Sequence, residues 1–236
     1  MRDFIASVYQ KSVFFIIIIF VKIFFGFEVR GAENLKGLNN KGVIFAGNHF
    51  CFFDGIFSGI AIGVAQGKNN IDFTPVKYLV YEDFFNFFRF FGKFKFPFSI
   101  IIACWLRISA CIPVRARKKN EYKSILLKQV LGKVIEAINN KDSIFIFPEG
   151  RISKDGKIQQ GKRGIVCLHK KTGAPIVPTG IKGTYKMFSW KNLKKPRAER
   201  KIVVTFGSPI INLSDLEKSK MELGVERIMK KIEELI

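Results

Sequence analysis

Short apolar runs alternating with amphipathic stretches predict an α/β fold: a single domain with a mixed, largely parallel sheet flanked by helices on both faces. Two segments carry that prediction. Ser143-Ile144-Phe145-Ile146-Phe147 is continuous and uncharged, as a strand buried on both sides must be. Just before it, Glu121–Asn139 places Leu127, Leu131, Val134 and Ile138 at intervals of four, three and four. That is one apolar helical stripe opposed by lysines.

The remaining elements follow from the same signals. Gly42–Ala46 reads as a buried strand, and Asp54–Gln66 as a helix rich in small residues. Ile71–Leu79 is a candidate strand, and Ile112-Pro113-Val114 closes another. Lys162–Lys171 is a short helix stopped at Gly173, followed by strands at Pro175–Ile181 and Lys201–Phe206. Ser214 and Glu217 form a capping box for a last helix, whose Val225, Ile228, Ile232 and Leu235 line one face. In such sheets, sites gather where strands end and helices begin.

Charge narrows the function. Lys and Arg total 40 against 19 Asp and Glu, a formal charge of +21, which calls for an anionic partner. Nine of the fifteen residues from Phe84 to Phe98 are Phe, interleaved with Arg89, Lys93 and Lys95. Rings at the acyl boundary with cations reaching phosphate headgroups would use this pattern. Aromatic and basic residues together also stack nucleobases, but the uncharged Ser99–Leu106 that follows gives a single-strand binder little. The expected partner is a membrane phospholipid surface, and no nucleic acid is expected.

The N-terminus agrees. Val13–Val21 is uninterrupted apolar sequence and continues past Lys22 to Phe27. A spanning helix needs about 20 apolar residues, and Gln10, Lys11 and Lys22 interrupt this one. Residues 1–27 are therefore read as a monotopic, membrane-anchoring helical segment ahead of a domain over 28–236. No small-x-small cleavage site precedes Glu28-Val29-Arg30. The basic remainder places the protein on the cytoplasmic face of the cell membrane.

His49-Phe-Cys-Phe-Phe-Asp54 is the densest chemical signal. An imidazole is the natural general base near neutral pH, and a carboxylate on its other nitrogen fixes its tautomer. Residues five apart do not face each other on a helix, and on a strand they point to opposite faces. The pair meets only if the chain turns between them, with Asp54 near a helix start. Cys51 offers a competing thiol nucleophile, though packing suits it better. The other cysteines (Cys104, Cys111 and Cys167) form no Cys-x-x-Cys pair, and His169 completes no metal set, so neither zinc nor a disulfide framework is expected. Pro148-Glu149-Gly150-Arg151 follows a buried strand. There Glu149 could accept hydroxyl hydrogen bonds, Gly150 admit close backbone approach, and Arg151 pair with a phosphate.

Four elements in order resemble the glycerolipid acyltransferase family, typified by bacterial 1-acyl-glycerol-3-phosphate acyltransferases. They are Asn48-His49-x4-Asp54, Ile112-Pro113-Val114-Arg115, Phe147-Pro148-Glu149-Gly150 and Ala174-Pro175-Ile176-Val177-Pro178. Val29–Leu35 looks like the family's lead-in strand. The resemblance implies that His49, held by Asp54, takes the proton from an acceptor hydroxyl as that oxygen attacks an acyl thioester, with no covalent acyl-enzyme. It implies that Arg115, Glu149, Gly150 and Arg151 bind the glycerol phosphate. It also implies acyl-CoA or acyl carrier protein as co-substrate, a lysophospholipid as acceptor, and no metal or other cofactor. The expected product is phosphatidic acid. Arg151 follows Gly150 directly, where the commoner motif has an intervening Thr. That variant resembles 2-acyl-glycerophosphoethanolamine acyltransferases and keeps lysophosphatidylethanolamine open as the acceptor.

Overall fold

In chain order the elements are α1 (Arg2–Phe24), β1 (Gly26–Arg30), β2 (Ile44–Gly47), α2 (Asp54–Asn69), β3 (Val76–Tyr81), β4 (Ile112–Val114), α3 (Lys123–Asn139), β5 (Ser143–Ile146), α4 (Gly164–Thr172), β6 (Ile176–Lys182), α5 (Trp190–Leu193), β7 (Lys201–Phe206) and α6 (Met221–Glu233). They come from a computed structural model that describes residues 2–38, 42–69, 76–81, 111–114, 123–213 and 221–236. The Phe84–Phe98 segment, Cys104, Arg115 and the Ser214–Glu217 capping box lie outside the described residues, as does the 71–75 part of the third predicted strand.

The strands form one sheet in the order β1-β7-β6-β2-β5-β3-β4. All neighbours are parallel except β6 and β7, so β1 and β7 run against the other five. β2 is central, with Ile44 opposite Ile144 of β5 and Ile176 of β6. The pleat sends alternate residues to opposite faces. Phe45, Phe145 and Val177 pack under α2 with Ala61, Ile62 and Ala65. Ile44, Ala46 and Ile144 pack under α3, α4 and α6, meeting Val134, Ile165 and Ile228. The central strand β2 is covered on both faces and is apolar throughout, whereas polar and charged residues enter the flanking strands. Truncating one of the fully buried rings, such as Phe45, to Ala should cost about 3–5 kcal/mol.

Two sequence expectations change. The lead-in strand does not run from Val29 to Leu35. It ends at Arg30, Gly31 adopts φ 68°, and Ala32–Leu35 form a 3-10 turn. The chain must turn there because Gly31 lies against the carbonyl of Phe206, which also accepts from Asn34 Nδ2 at 2.9 Å. The helix predicted from Lys162 begins at Gly164, because Lys162 and Arg163 belong to the loop that closes over the site.

Helix α1 is long and apolar enough to cross a membrane, with mean hydropathy 2.1 over its most apolar window. Its two faces differ. Ala6, Gln10, Phe14 and Val21 are buried, while Phe4, Ile5, Phe15, Ile16, Ile19 and Ile23 are exposed. The buried face lies along α2, where the Phe14 ring occupies the space over Gly59. Gln10 pairs with both backbone groups of Val76, donating to its carbonyl and accepting its N–H at 3.0 Å each.

Candidate active site

The site lies where β2, β5 and β6 end, at the carboxyl edge of the parallel block. After Gly47, the Asn48 side chain continues the ladder to β6. It accepts the Ile181 N–H at 2.7 Å and donates to the Ile181 carbonyl at 2.8 Å. This fully buried amide fixes the direction in which the next residue, His49, leaves the sheet.

The chain then turns, as the five-residue interval required. Asp54, wholly buried at the start of α2, sends Oδ2 back into the turn. That oxygen accepts the N–H groups of Phe50 and Cys51 at 2.6 Å each and faces His49 Nδ1 at 3.1 Å. The imidazole stacks on Phe147, at a centroid distance of 4.0 Å and an interplanar angle of 14°. One nitrogen is engaged. Nε2 has no hydrogen-bond partner among the described residues, and the side chain is 18 % exposed. Asp54 Oδ1 is buried without a partner among the described residues, so the carboxylate charge is offset through Oδ2 and the imidazole beside it. An imidazole so held can accept a proton at Nε2 while the carboxylate stabilises the resulting cation.

The loop after β5 secures the peptide of His49 on both sides. Glu149, 2 % exposed, accepts the His49 N–H at 2.9 Å on one oxygen and the Gln159 N–H at 3.1 Å on the other. Ser153 donates its N–H to the His49 carbonyl at 2.8 Å. Burial pushes the Glu149 carboxyl above its ordinary range, against the two amides that favour its charged form. The expectation of Glu149 as an acceptor of substrate hydroxyls thus meets a carboxylate turned inward, with each oxygen already on a backbone amide. Its visible role is to position His49.

Gly150 adopts φ 64° and closes a turn by donating to the Phe147 carbonyl at 2.9 Å. A side chain there would collide with Lys162 Nζ, whose ammonium covers the glycine. Arg151 is exposed, with Nη2 3.3 Å from Gln159 Oε1. Lys162 and Arg151 therefore bring two cations to this turn. The structure brings His49, Asp54, Glu149, Gly150 and Arg151 to one edge of the sheet. The sequence signalled no site role for Asn48's side chain, Ser153, Gln159 or Lys162.

Burial raises the Cys51 thiol, and the Asp54 charge adds to that shift. A nucleophilic thiolate needs the opposite. Cys51, Cys111 and Cys167 are free thiols.

The profile of the Acyltransferase family matches residues 26–182, so the chain belongs to that family. Among named relatives, it is 27 % identical over 164 residues to the 1-acyl-sn-glycerol-3-phosphate acyltransferase BAT2 of Brassica napus, covering 70 % of this chain and 39 % of that protein. LPAT1 of Arabidopsis thaliana, named for the same activity, is 27 % identical over 164 residues, covering 70 % and 38 %. The aligned region thus spans about two fifths of these relatives' length. The crystal structure of PlsC, the 1-acyl-sn-glycerophosphate acyltransferase of Thermotoga maritima, superposes with a TM-score of 0.63 at 20 % identity. It covers 98 % of this chain and 78 % of that one, and establishes the shared fold.

Proposed function

We propose that the protein is a 1-acyl-sn-glycerol-3-phosphate O-acyltransferase that converts lysophosphatidic acid to phosphatidic acid. The observation that carries this reading is the His49–Asp54 pair at 3.1 Å, with the outer imidazole nitrogen open at the sheet edge. Family membership and two relatives named for this activity support it. Nε2 of His49 takes the proton of the free glycerol hydroxyl as that oxygen attacks the thioester carbonyl carbon. The C–S bond breaks, and the imidazolium returns its proton to the departing thiolate. Asp54 holds the Nδ1–H tautomer throughout.

Arg151, with Arg115, grips the phosphate of the acceptor, and Lys162 adds a third cation. Glu149 and Gly150 act through the turn they build. Acyl-CoA or acyl carrier protein delivers the acyl group. Helix α1 rests its exposed face in the cytoplasmic leaflet, so neither the lysolipid nor the acyl chain has to leave the bilayer fully. Each CH₂ kept in hydrocarbon is worth about 0.8 kcal/mol.

The test is to incubate purified protein with lysophosphatidic acid, lysophosphatidylethanolamine and glycerol 3-phosphate, each with acyl-CoA and with acyl carrier protein, and identify the lipid products. Phosphatidic acid made from lysophosphatidic acid is the expected result. Acylation of lysophosphatidylethanolamine alone would redirect the assignment to the acceptor suggested by Arg151 directly following Gly150.

A further inference from the structure

Residues 183–200 leave β6 and return to β7 as a surface arm carrying α5. Met187 anchors it in the core beside α1, while the other large apolar side chains of the arm are exposed: Trp190 is 79 % exposed, Phe188 51 % and Leu193 36 %. The arm also carries the exposed Lys186, Lys191, Lys194, Lys195 and Arg197, and Glu199 is its single acid. Scattered exposed apolar residues are ordinary, whereas a cluster ringed by cations marks an interaction surface.

Three contacts fix where the arm sits. The Phe188 ring stands edge-on to Phe53 at 5.3 Å and to Phe25 at 6.0 Å. Phe53 belongs to the turn between His49 and Asp54, and Phe25 directly follows α1. Arg197 donates to the Lys22 carbonyl at the end of α1. The arm therefore joins the helix that carries the exposed apolar face to the turn that holds the imidazole. Phe52 and Phe53 in that turn are themselves exposed. Exposed apolar residues therefore stand on all three parts of this junction: Ile23 and Phe24 at the end of α1, Phe52 and Phe53 in the turn, and Phe188 and Trp190 on the arm.

We propose that this arm is a second membrane contact. Trp190 and Phe188 enter the headgroup region of an anionic leaflet, and the surrounding lysines meet lipid phosphates beside the mouth of the His49 site. Tryptophan favours that depth, and lysine stems lie along apolar surface while their charges reach phosphate. The one-sided charge and the contacts with the end of α1, whose outer face is apolar, point to a bilayer as the occupant. The proposal rests on the proposed function only in taking the substrates to be lipids.

Trp105→Phe leaves Trp190 as the sole tryptophan of the full chain. Its emission is followed with vesicles of phosphatidylcholine, and of phosphatidylcholine with phosphatidylglycerol, each carrying bromine at a shallow acyl position. The expected result is a blue shift with quenching on the anionic vesicles. Adding Lys191→Glu, Lys194→Glu and Lys195→Glu should weaken anionic vesicle binding about tenfold or more. Unmoved emission, while the protein co-floats with vesicles, overturns the proposal and leaves α1 as the anchor. Turnover of a short-chain lysophosphatidate in detergent is measured on the same sample. Its absence overturns the proposed function and leaves the fluorescence result standing.

Discussion

The chain's two histidines occupy opposite situations, and the difference separates an imidazole with both nitrogens spent from one with a nitrogen to spare. His169 is 3 % exposed at the last turn of α4. Its Nδ1 meets the Ala174 carbonyl at 2.7 Å, and its Nε2 accepts the Leu213 N–H at 3.3 Å. Both nitrogens are used, and the ring ties α4 to the residues leading into β6 and to those beyond β7. His49 also has Nδ1 engaged, but its partner is a carboxylate and its other nitrogen faces outward. The neighbours and the unspent nitrogen, not the residue type, decide which one can carry a proton.

Substitutions can break or sharpen this contrast. The largest effect is expected from His49→Ala, which should lower turnover by about 10⁴ with lysolipid binding largely kept, measured by product formation and by lysolipid binding. Asp54→Asn comes next, at about 10²–10³ in kcat, because an amide facing Nδ1 favours the wrong tautomer. Glu149→Gln puts an NH₂ group opposite a backbone N–H and should cost about 1–3 kcal/mol of stability, with a smaller loss of kcat.

The same substitution tests a pH dependence. Glu149 is held above its ordinary range, so across that window the folded state binds more protons than the unfolded state. Stability from this group is present at low pH and falls as pH rises through the raised value. Denaturant melts at stepped pH should show this slope in the native protein and its loss in Glu149→Gln.

His169→Ala should destabilise by about 2–5 kcal/mol, through a cavity and two unpaired backbone groups, while kcat per folded molecule stays unchanged. A fall in kcat matching that of His49→Ala would erase the distinction. Smallest is Cys51→Ala, expected to alter turnover by less than about twofold, since Cys51 packs rather than reacts. Abolished turnover with a trapped acyl-thioester would move the nucleophile to sulfur.

Much of this was legible in the sequence. Apolar runs located the central strands because a sheet covered on both faces leaves their middles little room for polar residues. The His49–Asp54 contact was legible because an interval of five closes only through a turn. The bracing was not. Asn48 bonds to Ile181, 133 positions away, and Glu149 to the His49 amide, 100 positions away. No local pattern signals a side chain spent on a distant backbone. The two backbone amides on Glu149 were hidden for the same reason: a carboxylate that braces and one that binds have the same neighbours in sequence. The reversed direction of β1 and β7 was equally hidden, since apolar alternation does not encode strand polarity.

Gln10 gives the N-terminal helix a consequence for handling the protein. By completing the hydrogen bonding of Val76, it makes the greasy helix a lateral neighbour of the sheet, not a detachable tail. Cutting the chain ahead of β1 to obtain a water-soluble fragment would uncover that backbone and strip the cover from α2. A soluble form is better sought by placing polar side chains at Phe15, Ile16, Ile19 and Ile23, which leaves the inner seam closed.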